Sequence, residues 1–524
     1  MKAAEPRGWP EPAAMLLLTV LWLAATAWAR PLNLPDEGRY VGVAWEMLRS
    51  GEWLIPTLNG LPYFHKPPLF YWITAGSMSI FGAGDWAARA APILGGTVGA
   101  FALVMFTRRW VGARAAWVTL LVLLAHPLWT VGGQFANMDM LVAGCITATI
   151  VLLAHAALSL QAGLPHRRAL AGAYAMAGLG VLAKGLIGAV LPALVLLLWL
   201  ILLRRWRTLA ALIWAPGILL FMLIAAPWFV AVQLRFDDFL NYFFVVQHFN
   251  RFAAGGFNNV QPIWFFPVAL LLFTLPWLPW VRRLFRAGAL SQPGPGPLRL
   301  LMWIWLVVVV AFFSLPKSKL LGYVLPAVPP LAYLIADAFL VLVAPTKLAR
   351  RLWWGSAGLA CALSVGAVAG FALFPRKSAR VLADALLAQR APNEPVFMLG
   401  HYFFDLPFYA RLREPVAVVD EWGDPQTARQ DNWRKELADA GRFAPLAAEP
   451  VLLTPAAFVA ALCAGRTAWV VGSPAVLATY PFLAGARLVA STGSAGLWAV
   501  DRPASGMTKE PGCGRKPNAD SAHM

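Results

Sequence analysis

The sequence predicts a multi-span α-helical membrane protein with a small α/β domain near its carboxy terminus. Three observations carry this expectation. Of 524 residues, 60% are hydrophobic and 13% charged, with a mean hydropathy of +0.64, a surface that a water-soluble fold could not solvate. Apolar runs near the roughly 20 residues needed to cross a hydrocarbon core recur until about residue 374. From Pro375 the pattern changes to short β-rich runs between polar helical stretches.

Taken in order, candidate spans lie near 13–29, 86–107, 112–130, 138–159, 169–184, 186–203, 209–232, 262–281, 300–315, 319–343 and 352–374, giving about 11–13 transmembrane helices. Basic clusters sit between alternate spans: Arg108, Arg109 and Arg114; Arg167 and Arg168; Arg204, Arg205 and Arg207; Arg282, Arg283, Arg286 and Arg299; Lys347, Arg350 and Arg351. The excess of Lys and Arg in cytoplasmic loops places all five clusters inside. The net charge of +18 and pI near 10.2 then reflect topology, and a nucleic-acid partner is not expected. Lys2 and Arg7 precede a first apolar run ending in Ala27-Trp28-Ala29, a pattern like a signal-peptide cleavage site. An uncleaved span with a cytoplasmic amino terminus fits the later alternation better, and Trp22 and Trp28 suit interface anchoring. Cys145 and Cys361 fall within apparent spans, while Cys463 and Cys513 fall outside; no metal spacing or disulfide framework stands out, and a Cys463–Cys513 bridge stays open.

Residues 31–72, PLNLPDEGRYVGVAWEMLRSGEWLIPTLNGLPYFHKPPLFYW, form a polar island on the outer side. Asp36, Glu37, Arg39, Tyr40, Tyr63, His65 and Lys66 crowd into it, a density no mere connector needs. Its aromatic content argues against disorder. Residues 37–49 and Leu69–Phe81 read as helices lying along the outer interface. The outer turn GGQFANMDMLVAG then brings Asp139 to the start of a span, where an acid is expensive unless paired or hydrated. As a plain alternative, Asp139 is a first-turn acid favoured by the helix dipole.

The outer loop 233–261 carries Asp237, His248 and Arg251 among phenylalanines, followed by a Gly- and Asn-rich tract expected to be a mobile linker. It reads equally as an interfacial helix or a binding element. Lys317, Lys319 and Tyr323 in FSLPKSKLLGYVLP put cations on the outer side, against the usual bias, and suggest an anionic partner. Asp337 in the same span reads as structural. Beyond the membrane part (1–374, with outer loops 31–85 and 233–261), an α/β domain is expected over 375–502 and a disordered tail over 503–524. Its strand-like runs are VFMLG, VAVVD, AWVVG and LWAVD, and its helical stretches 379–389 and 429–440.

Carboxylates at 36, 37 and 139, with cations at 39, 66, 251 and 319 on the same side, suit a polyprenyl phosphate-linked sugar. Its phosphate needs Arg and Lys donors, and an oxocarbenium-like sugar needs a carboxylate. A transporter using these groups as ion pairs fits the composition as well.

DEGRY followed by SGEWLIPTLNGLPYFHKPPLFYW resembles the first outer loop of the lipid A aminoarabinose transferases (ArnT), relatives of protein O-mannosyltransferases. The similarity recurs around Asp139, at His248 to Arg251 and in SKLLGYVLP. The resemblance implies the GT-C architecture with a periplasmic carboxy-terminal domain. It implies inverting transfer from a polyprenyl (undecaprenyl) phosphate sugar to lipid A or another envelope glycan, at the periplasmic face of the bacterial inner membrane. Protein O-glycosylation is the alternative within this fold. By the same resemblance Asp36 leads catalysis, with Glu37 and Asp139 as further acids. Arg39, Tyr40, Tyr63, Lys66, Arg251, Lys319 and Tyr323 become substrate or phosphate contacts. No cofactor is required, although family members have an acid where this chain has His65, and His65 with His248 forms a candidate divalent-metal pair. That departure leaves the sugar open.

Overall fold

The computed structural model describes residues 11–250, 259–284, 296–341, 346–374, 378–464 and 467–501. The expected tail lies outside them, as do most of the Gly- and Asn-rich tract, Arg251 and Cys513. Contacts divide the chain into two units. One joins Met1–Arg30 with Phe64–Pro375, the other Pro31–Tyr63 with Arg376–Met524. Most of the polar island, Pro31–Tyr63, expected to lie with the membrane part, thus groups with the carboxy-terminal domain.

The first unit is helical. Among the described residues six helices are long and apolar enough to cross a membrane: Ala87–Trp110, Met138–Gln161, Ala215–Gln233, Gly296–Ser314, Leu321–Val341 and Lys347–Leu373. A seventh candidate is the pair Phe265–Phe273 and Leu275–Leu284, bent by 66°. Arg167–Lys184 and the shorter apolar helices Glu11–Ala24, Leu69–Phe81, Ala113–Ala125 and Ile187–Leu202 complete the set. Each sequence-predicted span coincides with one of these. Where one is broken, proline breaks it: Ala113–Ala125 stops at His126 because Pro127 starts a new turn, and the bent pair breaks beside Pro276. Glycines in the Ala90–Trp110 helix let a neighbouring helix approach closely. A Cβ at Gly144 would run into the Gly95 backbone, so the Met138–Gln161 helix is seated tightly against Ala90–Trp110. Asp337, read as structural, makes a buried two-point pair with Arg299, at 2.5 and 3.2 Å.

The second unit is built on a six-stranded sheet ordered Leu452–Leu453, Ala417–Val419, Val396–Leu399, Thr467–Gly472, Gly496–Asp501, Arg487–Ser491. The first four strands are parallel and the last two pair antiparallel. All four strand-like runs expected from the sequence are strands. Phe397, Leu399, Val470 and Trp498 pack with Phe458 and Leu483 into its core. Helices Arg380–Gln389 and Trp433–Phe443 stand where helical stretches were expected. Cys463 is disulfide-bonded, whereas Cys145 and Cys361 are free.

The polar island enters this unit as a helix and a hairpin. Asp36–Ser50 begins with two acids in its first turn, ends with Arg49 in its last, and is closed by left-handed Gly51, each favourable to a helix. Strands Thr57–Leu58 and Leu61–Pro62 meet at Asn59-Gly60, both at positive φ (55° and 77°), the geometry of a two-residue Asn-Gly turn. Buried Glu46 holds that turn, accepting from the Asn59 N–H (2.6 Å), the Gly60 N–H (2.9 Å) and the Thr57 hydroxyl (2.8 Å). Burial pushes the Glu46 carboxyl up from its usual range against the pull of those donors. The Asn59 amide pairs with both backbone groups of Val416 at 2.9 Å, joining the hairpin to the sheet.

Candidate functional site

In the second unit the helix start at Asp36 carries a chain of charges. Asp36 is ion-paired with Arg39 one turn later, and Arg39 is ion-paired in turn with Glu436 of the Trp433–Phe443 helix. Asn432 caps that helix, accepting from the Arg434 N–H at 3.0 Å, which fixes where Glu436 projects. The Arg39 guanidinium lies 4.9 Å from the Tyr40 ring centre and 5.7 Å from that of Phe404. Burial alone would lower the Arg39 pKa, but Glu436, Tyr40, Tyr63 and Asp36 outweigh it and hold the group well above its usual value. Arg39 is therefore a permanent cation shared between two acids. The acids differ in access, with Asp36 26% exposed and Glu436 7%. Glu37 is fully buried and accepts from the Asn33 N–H at 2.9 Å, so it holds the loop-to-helix junction rather than facing a substrate.

In the first unit Asp139 opens the Met138–Gln161 helix, capped by Asn137, whose side chain accepts from the Asp139 N–H (3.0 Å) and donates to its carboxylate (3.1 Å). The other carboxylate oxygen is ion-paired with Lys184, at the end of Arg167–Lys184. The Lys184 ammonium also sits 4.2 Å from the centre of the Tyr323 ring. Gly322 lies directly against Asp139, where a Cβ would collide with the carboxylate. Two residues singled out from the sequence, Asp139 and Tyr323, are thus brought together by a lysine that was not.

The chain matches the family model of dolichyl-phosphate-mannose-protein mannosyltransferases over residues 65–230. It is 32% identical over 388 residues to the undecaprenyl phosphate-alpha-4-amino-4-deoxy-L-arabinose arabinosyl transferase of Edwardsiella ictaluri, covering 71% of this chain and 68% of that one. The chain belongs to the ArnT family of membrane glycosyltransferases. With the Aeromonas salmonicida member it shares 34% identity over 344 residues, spanning 65% of this chain and 61% of that relative. Crystalline ArnT from Cupriavidus metallidurans bound to undecaprenyl phosphate superposes with a TM-score of 0.78 at 26% identity, covering 93% of this chain and 97% of that one.

The remaining ArnT-like positions fall within the first unit. Lys66 is partly buried. His65 is 6% exposed and shares a 2.7 Å hydrogen bond with the Tyr242 hydroxyl, which also accepts from Gln247 at 2.9 Å. Phe64, whose ring lies 4.9 Å from Phe236 and 5.1 Å from Phe239, packs this start of the 233–261 loop. The backbone of His248 belongs to the helical segment Asn241–Asn250, and its side chain lies outside the described residues. Among the described residues no three His, Cys, Asp or Glu side chains cluster as metal ligands. The pairing of His65 with His248 therefore falls outside the described residues. Lys319 is buried and donates to the carbonyls of Gln261 (2.8 Å) and Pro316 (2.6 Å), clasping 259–261 to 317–319 through an isolated bridge. Its ammonium is occupied by backbone oxygen, which suits a clasp better than a phosphate contact.

Sequence reasoning missed Lys184 and Glu436. A signal for Lys184 existed: it is a cation at the end of its span opposite Arg167 and Arg168, the same breach of bias that marked Lys317 and Lys319. Glu436 had none, because its partner lies 397 residues away.

Proposed function

We propose that this protein transfers a sugar, 4-amino-4-deoxy-L-arabinose on the precedent of its relatives, from undecaprenyl phosphate to lipid A or another envelope glycan at the periplasmic face of the inner membrane. The observation that carries this reading is the Asp36–Arg39 pair. In a family of glycosyltransferases, the acid of the DEGRY motif is the more open carboxylate of its charge chain, held by a cation that cannot lose its proton.

In the reaction the bond between the anomeric carbon and the donor phosphate oxygen breaks, and its electron pair leaves with the phosphate. An acceptor oxygen bonds the carbon from the opposite face, inverting it. Asp36 stabilises the positive charge that develops on the sugar. A phosphate acceptor on lipid A is already anionic and needs no base, whereas a hydroxyl acceptor would give its proton to Asp36. Charge-assisted hydrogen bonds from Lys or Arg would hold the departing phosphate, the role the sequence reading gives Lys66. The disulfide at Cys463 supports an oxidising compartment for the second unit, and the basic clusters support a cytoplasmic amino terminus.

Mass spectra of lipid A from a deletion strain, and from the strain complemented with wild type or Asp36→Asn, test the proposal. Loss of an aminopentose increment, restored by wild type and not by the variant, is expected. Unchanged lipid A with altered protein glycans would favour a protein acceptor, the reading that the match over residues 65–230 favours. Full restoration by Asp36→Asn would reject the role given to that residue.

A further inference from the structure

Within the first unit, away from the residues above, a groove of about 560 Å³ opens between the helices Glu11–Ala24, Ala113–Ala125, Leu321–Val341 and Lys347–Leu373. Its wall is apolar and aromatic, with Trp117, Trp353 and Phe339 prominent, and two cations, Arg114 and Arg350, complete it. The aromatic wall is preformed: Trp353 is 3% exposed and stacks on Phe339 with centroids 4.0 Å apart. Both arginines are exposed in the first turn of their helices, and neither is ion-paired with a carboxylate among the described residues. Arg114 lies eleven residues before Ala125 and Arg350 eleven before Cys361, both residues of the same lining. That is about 16 Å of helix rise, close to half of a roughly 30 Å hydrocarbon core. The groove therefore has a charged mouth at the basic end and an apolar body one leaflet deep.

We propose that this groove binds an anionic phospholipid of the phosphatidylglycerol type, its phosphate between Arg114 and Arg350 and an acyl chain along the Trp117 and Trp353 wall. The two guanidinium forks match phosphate oxygens, and basic recesses between membrane helices favour anionic headgroups. The depth excludes a chain that must cross both leaflets. This site is independent of the transfer reaction.

Native mass spectrometry of the full-length protein in detergent, titrated with phosphatidylglycerol or phosphatidylcholine of identical acyl chains, tests it. Wild type should retain one phosphatidylglycerol at about tenfold lower lipid concentration than phosphatidylcholine. The double variant Arg114→Gln/Arg350→Gln should lose that preference while keeping its thermal midpoint. Leu121→Trp, which fills the groove and leaves both arginines, should lose the retained lipid of either kind. Equal retention of the two lipids by wild type would overturn the proposal, as would an unchanged preference in the double variant. Displacement of the retained lipid by undecaprenyl phosphate would overturn it too.

Discussion

Asp36 and Asp139 each start a helix, and each is ion-paired with a cation, yet the two clusters are open in opposite senses. Around Asp36 the carboxylate is the accessible member, 26% exposed against 14% for Arg39, and the cation is divided with a second, buried acid. Around Asp139 the carboxylate is the sealed member, 7% exposed against 13% for Lys184, and the cation leans on a tyrosine ring. One cluster presents an anion steadied by a cation; the other presents a cation steadied by an anion.

Substitutions at the presented groups should separate the clusters most. Asp36→Asn should lower transfer by about 10²–10³-fold, the scale of losing one preorganised electrostatic partner, with thermal unfolding nearly unchanged. Comparable transfer by variant and wild type would erase the contrast. Lys184→Met should lower transfer roughly tenfold to a hundredfold and also destabilise the protein by about 3–5 kcal/mol, because Asp139 is left buried and unpaired. Adding Asp139→Asn should recover the thermal midpoint and not the transfer rate; recovery of both would make the pair purely structural. Glu436→Gln removes one of the two acids on Arg39 and should cost about 1–3 kcal/mol in stability, with a few-fold loss of rate. A rate loss as large as that of Asp36→Asn would mean that Glu436, not Asp36, is the working acid. The smallest effect concerns Glu46, whose ionised form is disfavoured by burial. Its contribution to the second unit is full below the ordinary carboxylate range and fades as pH rises through the raised value. Midpoints measured from pH 4 to 8 should show this shallow slope in wild type and lose it in Glu46→Gln.

Sequence periodicity was a good guide wherever the lipid itself sets the rule, since every apolar run became a helix. It overran at Pro127 and Pro276, where backbone chemistry prevails over hydrophobicity. Strand Arg487–Ser491 escaped notice because it is an edge strand with Leu488 55% exposed, and Leu452–Leu453 because two residues make no pattern. The Asn-Gly turn at 59–60 carried a local signature that the density of charged neighbours obscured. Among the site residues, Asp36, Arg39 and Asp139 were legible from charge in an apolar chain. The clasp at Lys319 was not, because its partners are backbone oxygens that no side-chain pattern encodes.

The pairing of Asn59 with Val416 spans 357 residues, and that of Arg39 with Glu436 spans 397. At the roughly 5–20 residues per second of chain synthesis, the hairpin waits on the order of 20–70 s for its sheet partner to be made. During that interval Arg39 has Asp36 but lacks its distant acid. Assembly of the charge chain thus follows the order of synthesis: a nascent or truncated polypeptide carries the motif long before it carries the finished arrangement.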